Sequence, residues 1–218
     1  MPEILMAMIA GVVLGFFGSI PPTGPIALMI ISRAFKGKNT FAVVTGVGGA
    51  LAEIIYAGLA AAGVGLLVRQ NEIAETAFMA VSTLVLVSLG VYFFISPLDE
   101  REIKKAGEEE AEGLADALGH LGKGFSVSIF NPTLILTWTV AVTFFFALFE
   151  LDPGVWGLVA FALCVGLGKS SWAVFEVWLI DRYRERVSVG LLANIQRALS
   201  VGIILAGLVL GVRTLGWL

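Results

Sequence analysis

Charged residues are scarce in this chain, since Lys, Arg, Asp and Glu together make up 14% of its 218 residues. A typical soluble domain carries about 25%. Hydrophobic residues account for 58%, and the mean hydropathy is +0.93. A soluble domain of this length has too small a hydrophobic core to bury so many apolar side chains. The composition therefore excludes a soluble enzyme, a nucleic-acid-binding module and a disordered polypeptide, and it predicts a protein whose surroundings are the lipid bilayer.

Cysteine and histidine are nearly absent, with one of each, Cys164 and His120. A single cysteine cannot form an internal disulfide, and one cysteine with one histidine does not supply the ligands of a zinc site. The sequence also contains neither a His-Glu-x-x-His nor a Gly-x-Ser-x-Gly pattern. We therefore expect no metal, no cofactor and no catalytic residue, and the sequence predicts a protein that is not an enzyme.

Six apolar runs are long enough to cross a membrane, which takes about 20 mostly apolar residues. A mixed-charge segment, 99–123, which ends in an amphipathic turn around Leu114, separates three runs in 1–98 from three in 124–218. We predict an all-α membrane protein with six transmembrane helices in two three-helix units. The spans are expected at Ile4–Ser32, Asn39–Val68, Thr76–Leu98, Gly124–Phe149, Pro153–Ile180 and about Ser188–Leu218.

Lys and Arg lie mostly on one side of these spans. Eleven of the fourteen fall in or beside the connections after spans one, three and five, whereas only Arg69 and Arg213 fall on the other side. Because Lys and Arg in short loops mark the cytoplasmic side, these three connections, including segment 99–123, are predicted to be cytoplasmic and both termini external. The expected location is the cell membrane, either a plasma membrane or a bacterial inner membrane.

Short motifs of the first half recur in the second. The pairs are residues 15–20 with 124–129, matching at four of six positions, Pro22-Thr23 with Pro132-Thr133, and Gly46-x-Gly48 with Gly166-x-Gly168. Since three spans separate the copies, the two three-helix units cross the membrane in opposite directions. This pattern is typical of an inverted-repeat transporter.

Two spans carry prolines at repeat-equivalent positions, in Pro21-Pro22-Thr23-Gly24-Pro25 of span one and in Asn131-Pro132 of span four. Each proline removes a backbone donor and clashes with the preceding turn. Non-helical backbone at bilayer depth is tolerated where it lines a cavity or is buried in protein. We expect the breaks to face each other and their half-helix N-termini to bind an anion such as a carboxylate. The alternative is that both are packing kinks.

Three charged residues lie inside predicted spans, namely Glu53, Lys169 and Glu176. Such charges are costly in a bilayer and are by default functional, so we predict roles in ion coupling. Glu53 and Lys169 lie at similar depth and are able to pair across the two units, while Glu176 lies two turns after Lys169 on the same helix face. Glu53 is either a proton-accepting carboxylate or a static partner of Lys169, and Glu176 is alternatively a solvated carboxylate near the interface.

Glycines recur at GxxxG spacing at Gly11/Gly15 and at Gly207/Gly211, which suits close helix contact. The chain contains 26 glycines in all. In so glycine-rich a bundle we expect these faces to pack internally. A homodimer is left open.

Nearly all six spans carry motifs of one family. In the first half these are Phe17-Gly18-Ser19-Ile20-Pro21-Pro22-Thr23-Gly24-Pro25-Ile26, Ile31-Ser32-Arg33, Gly37, Gly46-x-Gly48-Gly49-Ala50-x-Ala52-Glu53-x-x-Tyr56 and Gly63. In the second half they are Gly124-Phe125, Asn131-Pro132, Trp172, Asn194, Arg197 and Gly202. With these motifs the chain resembles the lysine-exporter (LysE/RhtB) family of amino-acid exporters, which is similar in its first-span Pro-Gly break and its second-span acidic residue.

The resemblance implies a secondary carrier that exports an amino acid or a related small solute by alternating access, as an antiporter that lets protons in. It implies that Glu53 is the acidic site and that the substrate-facing breaks contain Pro22, Thr23, Gly24, Pro25, Asn131, Pro132 and Thr133. Glu53 departs from the family in replacing a common aspartate. Lys169 departs in replacing a small polar residue, which favours an anionic substrate. A carrier of a metal cation or inorganic anion and a non-transporting scaffold stay open as alternatives.

Overall fold

The structure is a computed structural model, and it describes residues 2–20, 24–68, 72–96, 101, 114–131, 133–149, 154–183, 185–186 and 188–214. This described part consists of helices and turns, with no strand. Its eight helices are α1 (Pro2–Phe17), α2 (Gly24–Phe35), α3 (Asn39–Val68), α4 (Glu72–Ile95), α5 (Leu114–Ile129), α6 (Thr133–Phe149), α7 (Gly154–Arg182) and α8 (Val189–Thr214). The predicted all-α class is confirmed for this part of the chain.

Three of the described helices are long and apolar enough to cross a membrane, with candidate spans at Asn39–Gly63, Gly154–Arg182 and Val189–Val212. Shorter apolar stretches occur in α1, α2, α4 and α6. Large apolar side chains point outward from the bundle, and Leu59, Leu84 and Leu205 are each more than half exposed. So many exposed apolar side chains fit a surface that faces lipid.

Two of the predicted spans are each divided between two helices, and one helix begins outside its predicted span. Span one, Ile4–Ser32, is divided between α1 and α2, and span four, Gly124–Phe149, between the end of α5 and α6. Helix α5 also begins at Leu114, inside the segment 99–123 that is expected to connect the two halves. Leu114 and the leucines that follow it in this segment lie at helical spacing. Packing against α3 extends the predicted amphipathic turn into a helix.

Local hydrogen bonds end the helices beside the proline motifs. At the end of α1, the Ser19 hydroxyl donates to the Gly15 carbonyl at 2.7 Å, and Gly18 N donates to Leu14 O at 2.8 Å. At the end of α5, Phe130 N donates to Ser126 O at 3.1 Å. These bonds satisfy carbonyl groups that a helix end would otherwise leave without partners.

The connection from α2 to α3 is a glycine-capped turn. Gly37 has φ 74°, in the left-handed region that favours glycine. Its N–H donates to Ala34 O at 3.0 Å, and Lys38 N donates to Arg33 O at 2.9 Å, which together form a Schellman motif. The turn reverses the chain within three residues and brings α2 alongside α3.

Helices α3 and α7 form the centre of the bundle. They pack against each other, while α1 packs extensively on α7 and α5 on α3. Small side chains make this possible, because Ala57, Ala61 and Ala10 are buried in one core cluster together with the larger Trp138 and Phe161. The two longest helices therefore each contact several other helices of the bundle.

Two helix pairs approach each other so closely that only glycine fits at the contact. A Cβ atom at Gly15 or Gly168 would clash with backbone where α1 meets α7, and a Cβ atom at Gly48 or Gly124 would clash with backbone where α3 meets α5. The carbonyl oxygens that these Cβ atoms would strike are those of Val165, Val12, Leu121 and Thr45, respectively. Glycine at these four positions thus sets the spacing of both pairs.

The predicted internal use of the GxxxG faces is confirmed. Gly11 lies against Phe161 and Cys164 of α7. Gly207 lies against Leu86 and Val87 of α4, and Gly211 against Thr83, as α8 packs along α4. Both faces are therefore occupied within this chain.

Candidate functional site

A buried ion pair joins the two central helices. Lys169 Nζ lies 2.7 Å from Glu53 Oε1, and the two side chains are 15% and 7% exposed. Glu53 is the fifteenth of the thirty residues of α3, and Lys169 is the sixteenth of the twenty-nine residues of α7. The ion pair that the sequence suggested is thus present near the middle of both helices. Each charge compensates the other, as charges buried away from water require.

The ion pair lies on the wall of a cavity of about 600 Å³. Small-molecule sites usually measure about 300–1,000 Å³ and are mostly apolar with a few polar groups. The polar and charged side chains on this wall are Ser19, Glu53, Ser128, Asn131, Thr137, Lys169 and Glu176. The aromatic ones are Tyr92, Phe93, Trp138 and Trp172. The cavity therefore has the size and lining of a site for a small, partly polar molecule.

Glu176 is the third charged residue on the cavity wall. It is 8% exposed and follows Lys169 by two helical turns of α7. Trp172 lies one turn before it, and the Trp172 indole Nε1 is near the Glu176 carboxyl without reaching hydrogen-bond geometry with any described residue. Two carboxylates and one ammonium group give the wall a net negative charge when all three are ionised.

Tyr56 fixes the end of α5 beside the cavity. Its hydroxyl donates a hydrogen bond of 2.6 Å to the carbonyl oxygen of Ile129, the last residue of α5. Asn131, two residues later, lines the cavity, and its N–H donates to Ser128 O at 3.0 Å. Tyr56 lies one helical turn after Glu53, so α3 contributes both a charged group to the cavity and a clamp for the chain next to it.

Four of the ten predicted site residues line this one cavity, namely Glu53, Asn131, Lys169 and Glu176. Gly24 and Pro25 occupy the first turn of α2 and Thr133 is the first residue of α6, but their side chains lie outside the described part. Pro22, Thr23 and Pro132 lie outside the described residues altogether. The structure thus brings together the charged residues and Asn131, from both halves of the sequence.

Many residues of the cavity wall were not predicted from the sequence. Tyr92 and Phe93 come from the last turn of α4, and Thr137 and Trp138 come from α6. Each lies in an apolar run where an aromatic residue or a threonine is unremarkable, so no local signal distinguishes it. Trp172 is the exception, because it belongs to the motifs on which the family resemblance rests. Among the described residues, no group of three His, Cys, Asp or Glu side chains is suited to hold a metal ion.

A helical bundle with an apolar exterior, charges paired in its interior and a cavity of solute size defines an integral membrane carrier. Residues 16–214 match the family model described as LysE type translocator, so the chain belongs to the LysE type translocator family. It is accordingly a membrane transporter of small solutes, and the family resemblance seen in the sequence is confirmed. Searches among curated proteins and among solved structures found no match.

Proposed function

We propose that the protein exports an amino acid or a related small solute from the cytoplasm, as an antiporter that lets protons in. The observation that carries this proposal is the ion pair of Glu53 and Lys169 on the wall of a cavity of about 600 Å³. A charge is kept at bilayer depth where a substrate or ion passes. Family membership supports transport of a small solute, and the cavity supports a substrate the size of an amino acid.

The six spans of the proposed architecture form two inverted repeats, with α1–α2 and α5–α6 as broken spans one and four. The glycine contacts support this symmetry. Adding 109 to a residue number in α1 and subtracting 120 from one in α7 converts two close backbone contacts of α1 with α7 into two close backbone contacts of α5 with α3. Gly15 with Val165 becomes Gly124 with Thr45, and Gly168 with Val12 becomes Gly48 with Leu121. Equivalent contacts between equivalent helices are what an inverted repeat requires.

The cavity is proposed to face the cytoplasm in this conformation. Its wall includes Tyr92 and Phe93 in the last turn of α4, together with Glu176 toward the end of α7. Both helices lead into connections that the distribution of Lys and Arg assigns to the cytoplasm. Alternating access then requires the two broken spans to open the cavity on the opposite side, with both termini external and the protein in the cell membrane.

Substrate is proposed to bind between the broken spans. The N-termini of α2 and α6, with Pro22 to Pro25 and Asn131 to Thr133, are assigned to the carboxylate because a helix N-terminus favours an anion. Glu53 and Glu176 are the two carboxylates proposed to bind the amino group of the substrate and the coupling proton. Lys169 is already neutralised by Glu53, which removes the reason to prefer an anionic substrate.

Reconstitution in proteoliposomes tests this function. An imposed proton gradient is expected to drive movement of radiolabelled L-amino acids by the wild type, and the Glu53→Gln and Lys169→Met variants are expected to lose it. Glu185→Gln, a change at an exposed carboxylate, serves as the matched control. Gradient-driven movement of a divalent metal or chloride without any amino acid would instead support the alternative carriers, and no movement at all would support a scaffold.

A further inference from the structure

Tyr56 and Glu176 occupy equivalent positions in the two helix pairs. The offset of 120 that relates α3 to α7 carries Tyr56 onto Glu176, and the offset of 109 that relates α1 to α5 carries Ile20 onto Ile129. Tyr56 donates its hydrogen bond to Ile129 at the end of α5. The equivalent of that bond in the other pair would run from Glu176 to Ile20 at the end of α1.

Glu176 and the turn that follows α1 line the same cavity. The Phe16 ring packs against Trp172 and Phe175, with centroids 5.3 and 6.0 Å apart, and these two aromatic residues precede Glu176 in α7. Ser19, in the turn that follows α1, lines the same cavity as Glu176. The aromatic contacts thus join this part of α7 to the end of α1, on the side of the cavity that Glu176 and Ser19 share.

Tyr56 and Glu176 differ in the protonation state that each needs in order to donate a hydrogen bond. A phenol hydroxyl such as that of Tyr56 carries its proton in neutral solution, whereas a carboxyl group donates a hydrogen bond only when protonated. An ionised carboxylate at the C-terminal end of a helix is also repelled by the negative end of the helix dipole. The bond of Tyr56 to α5 therefore needs no change of protonation, whereas an equivalent bond from Glu176 to α1 would form only when the carboxyl is protonated.

Among the charged residues on the cavity wall, Glu176 is the one that can bind a proton without disrupting the ion pair of Glu53 and Lys169. The helices packed on α7 contribute Glu3 of α1, Arg33 of α2, and Glu53 and Tyr56 of α3, and of these only Glu53 lines the cavity. Tyr92 of α4 and Lys169 of α7 also line it. Since Glu53 and Lys169 compensate each other at 2.7 Å, a proton on Glu176 brings the three charges to zero, whereas a proton on Glu53 would leave Lys169 without its close partner.

We propose, resting on the proposed antiport, that Glu176 is the residue that binds and releases the coupling proton. Its protonated carboxyl donates a hydrogen bond to a carbonyl at the end of α1, near Ile20, and its ionised form releases that helix end. The proton comes from the solution on one side and leaves to the other, and no further reactant takes part. With a bond from Tyr56 to α5 that does not depend on protons and a bond from Glu176 to α1 that does, only one of the two broken spans responds to protonation.

Infrared spectra of the purified protein in nanodiscs test the protonation site without any transported solute. The difference between acidic and alkaline spectra is expected to contain a protonated-carboxyl band that Glu176→Gln removes and that the double variant Glu53→Gln/Lys169→Met keeps. Tyr56→Phe and Glu185→Gln are matched controls that leave the band in place. If Glu176→Gln fails to fold, Glu176→Asp is expected to shift the band. A band that persists unchanged in the Glu176 variants overturns the proposal.

Transport measurements in proteoliposomes separate coupling from binding, with a mixture of radiolabelled L-amino acids as the probe. Glu176→Gln is expected to keep exchange between labelled and unlabelled amino acids but to lose accumulation driven by a proton gradient, down to the level without a gradient. Gradient-driven accumulation that survives in Glu176→Gln overturns the proposal. A wild type that moves no amino acid contradicts the proposed function alone, because the infrared result does not depend on transport.

Discussion

The side-chain amide of Gln196 in α8 donates a hydrogen bond of 3.0 Å to the backbone carbonyl of Phe93 in the last turn of α4. The same amide nitrogen lies 3.1 Å from the carbonyl oxygen of Ser96. Gln196 is 3% exposed, and Phe93 lines the cavity. A buried amide on one helix thus fixes the end of another helix that forms part of the cavity wall.

We expect Gln196→Met to lower the free energy of unfolding by about 1–3 kcal/mol, because the side chain keeps a similar volume while two partly buried carbonyl groups lose a donor. Thermal unfolding of the protein in detergent measures the effect as a lower Tm. Asn194→Met, at an exposed position two residues earlier, is the matched control. An equal Tm for the Gln196 and Asn194 variants would contradict the structural role of this amide.

The pair of Glu53 and Lys169 predicts a strongly non-additive mutant cycle. Glu53→Gln or Lys169→Met alone is expected to cost about 3–5 kcal/mol, because each leaves a buried charge without its partner. The double variant, which removes both charges, is expected to recover much of that stability. Thermal unfolding of the four proteins at one pH gives the interaction term, and purely additive losses would indicate that the two side chains do not pair.

Close helix contact predicts opposite effects for two glycines of the same helix. Gly124→Ala is expected to destabilise the protein by about 1–3 kcal/mol, since the added methyl group clashes with the backbone of Thr45. Gly119 has no atom within 4 Å of the added methyl group, so Gly119→Ala is expected to stabilise helix α5 by about 0.5–1 kcal/mol. The Tm values of the two variants should move in opposite directions, and a fall of similar size in both would exclude a specific contact at Gly124.

The hydrogen bond of Tyr56 to Ile129 predicts a smaller loss. Tyr56→Phe removes a hydrogen-bond donor from that carbonyl and is expected to cost about 1 kcal/mol, which is typical of a single neutral hydrogen bond. Tyr183→Phe, at a position 43% exposed, is expected to leave Tm unchanged. Hydrogen exchange should also rise at the end of α5 in the Tyr56 variant, and unaltered exchange there would argue against the clamp.

Much of the general architecture was readable from composition and spacing. Long apolar runs predicted an all-helical membrane protein, and the all-helical class is confirmed for the residues that the structure describes. The proline and glycine motifs carried the resemblance to the family, which the match of residues 16–214 to the family model confirms. The predicted interruption of spans one and four at the proline motifs stays a prediction, because residues 21–23 and 132 lie outside the described residues. The start of α5 at Leu114 was not predicted, since ten residues of mixed polarity become a stable helix only by packing on α3.

The sequence by itself determined which residues are exceptional. Glu53, Lys169 and Glu176 stand out because a charge in an apolar run is costly wherever the helix packs. The glycine pairs stand out because small residues at fixed spacing predict close contact. These conclusions need only the chemistry of the residue and its distance along the chain.

Only the tertiary structure decided which of these residues meet. The 2.7 Å contact of Glu53 with Lys169 depends on the crossing of α3 and α7, and the contact of Tyr56 with Ile129 joins residues seventy-three positions apart. The same packing brings Trp138 and Phe93, two ordinary aromatic residues of apolar runs, to the cavity wall. Helix packing is set by the combined shapes of many side chains, so a cavity between helices cannot be derived from any one run of the sequence.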